Sequence, residues 1–236
     1  MNLHKRIEGV FFSPRPTFEG LAAKPVWVDT LIVILLALIA FNFIVLPYLQ
    51  KDQLSLWKDN AATLKERYGE ERYAQMVERT EHPSKAGQIV QTFVATPLFY
   101  VAALLLQSLI LLILGRFTST QGTYVQVLSA LVHAGLIDKV LGNAVRLALV
   151  LPRQSVMQTS TSLALLFPRL EVTSTPYIML SQIDFFGLWM FGVLALGLAA
   201  IFKIPAKKAL VLSYAVWALK GLANVGIGLI GMSFLR

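Results

Sequence analysis

Five stretches of this chain are each as long as a helix must be to cross a bilayer, about 20 apolar residues. They run Val28–Leu49, Phe93–Leu114, Tyr124–Leu151, Ile183–Phe202 and Ala206–Leu235. Within hydrocarbon every backbone N–H and C=O must find its partner inside the protein, and a helix does this within one segment. The fold class expected is therefore all-α: a polytopic membrane helix bundle with five transmembrane helices. An N-terminal interfacial arm over 1–27 precedes a transmembrane domain over 28–236. Its first loop carries an amphipathic helix over about 53–80.

Composition agrees with lipid as the main solvent. Charged residues make up 14% of the chain, against about 25% in soluble domains. The net charge of +8 raises nucleic acid as a partner. The basic residues, however, flank apolar runs or alternate with acids, and no basic helix or stacking platform is present. Anionic lipid headgroups are the partner expected instead, and no nucleic acid. The chain has no cysteine, which removes disulfides, thiolate nucleophiles and cysteine metal sites.

The first 25 residues place Val10, Phe11, Phe12, Phe18 and Leu21 among Lys5, Arg6, Arg15 and Lys24. Ser13-Pro14 and Pro16-Thr17 are expected to interrupt any helix there. The arm does not read as a cleavable signal, because prolines arrive before any sustained apolar run. In the first loop, Asp52 reads as a helix cap. Leu54, Trp57, Ala61, Leu64 and Tyr68 then recur at spacings of three and four. The later loop 152–182 holds a short apolar patch, Leu163–Phe167, read as a re-entrant or surface-lying turn.

Orientation follows the basic residues at the span ends. Setting loop 50–92 aside, eight against three favour a cytoplasmic N-terminus. Including that loop reverses the lead, at ten against eight. The N-inside arrangement is the expectation.

The third run carries charge where charge is expensive. His133, Asp138, Lys139, Asn143 and Arg146 all lie within it, and ionisable groups at bilayer depth mark functional or tightly paired sites. Lys139, Asn143 and Arg146 share one helical stripe, with Asp138 about 100° away. Neighbours at i and i+1 do not face each other on a regular helix, so Asp138 is expected to look to another span. Lys220, with Asn224 one turn on, stands at similar depth in the fifth run. One reading of this polar centre is an ion pair that fixes helix register. The other is a cavity for a small anion or a lipid headgroup. Lone His133 reads as a satisfied polar residue, and no metal site is expected.

Glycines recur along the fourth run (Gly187, Gly192, Gly197) and the fifth (Gly221, Gly226, Gly228, Gly231), permitting close helix approach or a broken last helix. Nucleophile-elbow, HExxH and phosphate-loop signatures are absent from the sequence. Neither catalytic residues nor a cofactor are therefore expected.

Several segments together resemble the bacterial Yip-domain family of integral membrane proteins. These are Phe11-Phe12-Ser13-Pro14-Arg15-Pro16-Thr17-Phe18, Lys24-Pro25-Val26-Trp27, the Ser/Thr-rich Thr159–Phe167, and Gln182-Ile183-Asp184-Phe185-Phe186-Gly187-Leu188-Trp189. Gly197 and the Lys203–Lys208 turn follow in the family's order. The resemblance implies five spans, a cytoplasmic arm and no catalytic residues. It further implies action through partners or on membrane organisation, including as an accessory subunit of an efflux-type complex or as a homo-oligomer. A carrier for a small anion or lipid is the alternative, and an intramembrane hydrolase a remote third.

If Asp138 and Lys220 are partners, removing both charges is milder than removing either. Asp138→Ala and Lys220→Met singly should each lower thermal stability in detergent, by an amount in the range of about 2.5–3.5 kcal/mol for an exposed mid-bilayer charge. The double variant should recover most of the loss. Additive losses would dismiss the pairing.

Overall fold

The computed structural model describes residues 1–157 and 161–233. Twelve α-helices account for most of them. The arm forms α1 (Leu3–Phe12) and α2 (Pro14–Ala23), and the first span belongs to α3 (Val28–Asp59). The first loop holds α4 (Ala61–Tyr68), α5 (Glu70–Glu81) and α6 (Lys85–Val90). Then come α7 (Thr96–Arg116), α8 (Tyr124–Leu136), α9 (Asn143–Arg153), α10 (Thr175–Ser181), α11 (Phe185–Phe202) and α12 (Ala206–Ser233). Among the described residues there is no strand, only an isolated bridge between Ser162 and Asp184. The carboxyl end of the expected fifth span, 234–236, and residues 158–160 of the Ser/Thr-rich loop lie outside the described residues.

Among the described residues, four helical stretches are long and apolar enough to cross a membrane: Val28–Asp59, Lys85–Arg116, Phe185–Phe202 and Ala206–Met232. The third expected span takes a different form. Here α8 runs through a π-helical turn, Ile137–Gly142, into α9. Every residue from Val127 to Leu136 is buried, so this stretch is wrapped by protein rather than lipid. That is how a charged segment fits a membrane fold.

The chain divides into two compact units. The first comprises Met1–Leu38, Pro97–Ala144 and Phe185–Lys220. Its core gathers Phe18, Ile34, Leu111, Leu131, Leu194 and Phe202, all fully or almost fully buried. The second comprises Ile39–Thr96, Val145–Asp184 and Gly221–Arg236.

In the first unit the arm is not a surface layer. Val10 and Phe18 are wholly buried and Leu21 nearly so, with α2 packed on α8 and α11. Its buried face meets protein, while Phe12 stays exposed. The prolines interrupt the helix only once, at Ser13. Pro14 and Pro16 occupy the first turn of α2, where a missing N–H costs nothing. Gly9 lets the two arm helices close on each other, since a Cβ there would lie 2.1 Å from Thr17 Oγ1.

In the second unit the amphipathic segment 53–80 is not one helix. Its first residues continue α3, and Gly69, at φ +83°, separates α4 from α5. A left-handed backbone there is natural to glycine and ends the helix. Lys58 Nζ donates to Glu81 Oε1 at 2.8 Å, joining α3 to the end of α5 and holding the Glu81 carboxyl below its ordinary value. Asp52 caps no helix. Buried within α3, it accepts from Ser155 Oγ at 2.9 Å and from the backbone N–H groups of Val156 and Met157 at 2.6 and 3.1 Å.

Helix α7 continues an earlier helical stretch. The chain is helical from Lys85 and widens into a π turn at Gln91–Ala95 just before the proline. The proline ring lacks an N–H, and Thr96 Oγ1 donates to the Gln91 carbonyl at 2.9 Å. Of the last span's glycines, Gly228 allows a close approach, a Cβ there lying 2.9 Å from Ile178 Cγ2, while the expected break is absent. α12 is unbroken to Ser233, and a Cβ at Gly226 or Gly231 would meet nothing within 4 Å.

Gly197 is the small residue that packing requires. A Cβ there would lie 2.7 Å from the Phe18 ring and 3.0 Å from Ala130 Cβ. Gly197→Val should therefore cost about 1–3 kcal/mol by overpacking, read as a lower unfolding temperature in detergent and faster proteolysis of the arm. Gly226→Ala serves as the control and should leave both unchanged or slightly improved.

Candidate functional site

The residues singled out in the third span divide between the two units. His133, Asp138, Lys139 and Asn143 fall in the first, as does Lys220. Arg146 and Asn224 fall in the second.

In the first unit Asp138 and Lys139 sit in the π turn. Contrary to expectation, these neighbours pair: Lys139 Nζ lies 2.7 Å from Asp138 Oδ2. The regular-helix argument fails because the helix is not regular there. An i→i+5 turn is wider and brings successive side chains closer around the axis. The four-carbon stem of lysine covers the remaining gap. Asp138 and Asn143 are buried, whereas Lys220 and Asn224 on α12 are exposed.

His133 belongs to a chain of polar contacts joining the arm to the core. Arg6, almost fully buried, forms an ion pair with Asp29 at the start of α3 and donates to the Met1 carbonyl at 2.8 Å. Asp29 Oδ1 accepts the Thr30 N–H at 2.8 Å. Thr30 Oγ1 stands 3.0 Å from His133 Nε2, and His133 Nδ1 stands 2.8 Å from the Ser129 carbonyl. A carbonyl only accepts, so Nδ1 carries the proton and Nε2 accepts from the threonine hydroxyl. Both ring nitrogens are used, leaving neither for a metal or a substrate. Ser129 Oγ and Gln126 Nε2 extend the latch, donating to the carbonyls of Val26 at 2.7 Å and Ala22 at 2.6 Å.

In the second unit Arg146 meets an acid that the sequence reading assigned no partner. Its Nη2 lies 2.8 Å from Asp184 Oδ1, and its Nε donates to Thr161 Oγ1 at 3.2 Å. The Thr161 hydroxyl in turn donates to Asp184 Oδ2 at 2.6 Å. Backbone pairing of Leu163 N–H with the Ile183 carbonyl, at 2.9 Å, holds the two loop segments together. The positive surplus on the third span is thus met from the loop before α11. No group of three histidine, aspartate or glutamate side chains able to hold a metal occurs among the described residues.

Two of the segments that carried the family resemblance, the Phe11–Phe18 run and the Phe185–Trp189 run, lie in the first unit and touch there. Phe11 packs edge to face on Trp189, with ring centroids 6.2 Å apart. The family model of the Yip1 domain matches residues 9–228. The chain belongs to the Yip1-domain family. Neither the curated proteins nor the solved structures give a significant match. For this Yip1-domain protein, the resemblance read from short motifs holds over nearly the whole chain. Membership and the apolar helices together make it a multi-pass membrane protein.

Arg146, Thr161 and Asp184 were only partly legible. Arg146 stood out as charge at depth. Asp184 carried a signal too, as the acid opening the fourth-span motif, but nothing in linear spacing linked the two. Arg6 and Asp29 were missed because each reads as an ordinary charge flanking a span.

Breaking a buried ion pair by removing one partner costs about 3–5 kcal/mol, because the other charge is left behind. Arg146 and Asp184 are half-buried, so Asp184→Ala and Arg146→Met should each lose stability by less than that in unfolding experiments. The double variant Arg146→Met with Asp184→Leu should lie well above either single variant, since paired apolar replacements of buried ions are often neutral.

Proposed function

We propose that this Yip1-domain protein is a non-enzymatic component of a bacterial inner membrane. It acts on membrane organisation or as an accessory subunit of a larger membrane complex, such as an efflux system. Its N-terminus faces the cytoplasm. The observation that carries this reading is the internal use of its polar groups at depth. Asp138 bonds Lys139, Arg146 bonds Asp184 and Thr161, and both nitrogens of His133 are engaged. Groups committed to one another hold helices in register; they are poor handles for a cargo that must bind and leave. The resemblance adds the partner-directed role, because the family supplies no catalytic residues.

Two measurements test this. Proteoliposomes holding the purified chain should show no anion flux above protein-free vesicles. Flux that falls in Arg146→Met or Lys139→Met would overturn the scaffold reading in favour of a carrier. Extraction into native nanodiscs, with proteins identified by mass spectrometry, should yield a stoichiometric membrane partner. The chain has no cysteine, so His4→Cys gives a clean topology probe. An impermeant maleimide should label it in inverted vesicles and not in intact cells.

A further inference from the structure

One cavity of the first unit lies beside the end of the polar network described above, sharing only Gln126 and Ala22 with it. It measures about 840 Å³ and lies where α2, the loop before α8, the end of α11 and the start of α12 come together. Its floor is apolar and made of small or branched side chains, among them Ala22, Ala199, Ala200 and Ile204. Its rim is polar and carries Arg15, Glu19 and Lys203. Such a cavity is in the size range of small-molecule sites, and its amphipathic lining suits an amphipathic occupant.

The walls are preformed. Arg116 donates to the carbonyls of Thr120 and Gly122, the latter at 2.8 Å, and so folds the loop back on itself. Ser119 Oγ fastens that loop to the end of α11 by donating to the Phe202 carbonyl at 2.6 Å. The first turn of α8 is closed by its own capping box, with Thr123 N–H on Gln126 Oε1 at 2.8 Å. The rim's attraction for anions therefore comes from side chains and not from a helix end.

Lys203 is the informative residue. It follows α11 at φ 53°, and the Ile204 N–H bonds back to the Ala199 carbonyl at 3.2 Å. This is a left-handed helix-ending position, at which glycine or asparagine is the comfortable residue. A lysine sits there instead, exposed, with no carboxylate partner among the described residues. Arg15 contacts Glu19 through Nε alone, at 3.2 Å, which leaves the terminal nitrogens of its guanidinium for another anion. Lys24, Lys207 and Lys208 are exposed on the same helix ends and raise the local positive potential. We infer that this cavity is a binding site for an anionic phospholipid, its phosphodiester held between Arg15 and Lys203 and its glycerol and first acyl carbons on the apolar floor. A free anion would match the rim but gain nothing from the floor. This inference stands apart from the scaffold reading and requires neither a partner nor transport.

The test uses the full chain in nanodiscs or mild detergent. Retention of phosphatidylglycerol and of phosphatidylcholine with identical acyl chains is read by native mass spectrometry. The wild-type chain should retain phosphatidylglycerol preferentially. Lys203→Gly removes the charge while giving the backbone its preferred residue, so misfolding does not confound it. Loss of one surface charge worth about 1 kcal/mol corresponds to a roughly five-fold fall in retention, and Lys203→Gly and Arg15→Gln should each show it. Lys85→Gln, in the other unit, should show none. Ala200→Phe fills the floor and should reduce retention with the charges intact. Equal retention of the two lipids, or no effect of Lys203→Gly, would overturn the site. Displacement of the lipid by inorganic phosphate alone, or indifference to Ala200→Phe, would equally overturn it, since either means that the floor is not used.

Discussion

Charge within an apolar interior must meet opposite charge nearby, and this constraint organises the molecule. An isolated ion in low dielectric is costly, whereas a hydrogen-bonded pair recovers much of that cost through attraction. Arg6 meets Asp29, Asp138 meets Lys139, and Arg146 meets Asp184. Each of these three pairs closes within a single compact unit. In the first unit the pairing of Arg6 with Asp29 brings the arm to the start of α3, and His133 and Ser129 then tie that junction to the central α8. Packing around α8 follows from this latch, with Phe18 filling the space that Gly197 leaves.

Exposure grades the apolar helices. More than half of α11's most apolar window is buried, at 56%, against 17% for α12. The first is shared between protein and lipid, and the second is mainly a lipid-facing wall. Leu222, Ile227 and Ile230 on α12 are all well exposed, as a surface solvated by acyl chains permits.

The apolar runs made the helices legible, because span length and continuous hydrophobicity leave one solution for the backbone. Two kinds of information were hidden. Local helix geometry was one: nothing in Ile137–Gly142 announces a π turn, yet that turn decides whether Asp138 can reach Lys139. A similar widening precedes Pro97. Burial of the arm was the other. Val10, Phe18 and Leu21 read as residues suited to a bilayer surface, and only the small residues of α8 and α11 reveal a better place for them. Of the polar centre, the third-span residues were visible in the sequence. Their partners Asp184 and Thr161 were not, because contacts across 15 to 38 positions of chain leave no periodicity.

The arm's position has a consequence for how the protein is made. Phe18 packs against Gly197, which is synthesised about 180 residues later. At translation rates of about 5–20 residues per second, the finished seat for α2 does not exist for on the order of ten seconds or more after the arm has emerged. Through that interval its phenylalanines have no protein to cover them. The bilayer surface is the nearest apolar phase, and the basic residues interleaved among them suit such a wait. A segment made before α11 is thus among the last to find its place, and its docking reports that α11 has arrived.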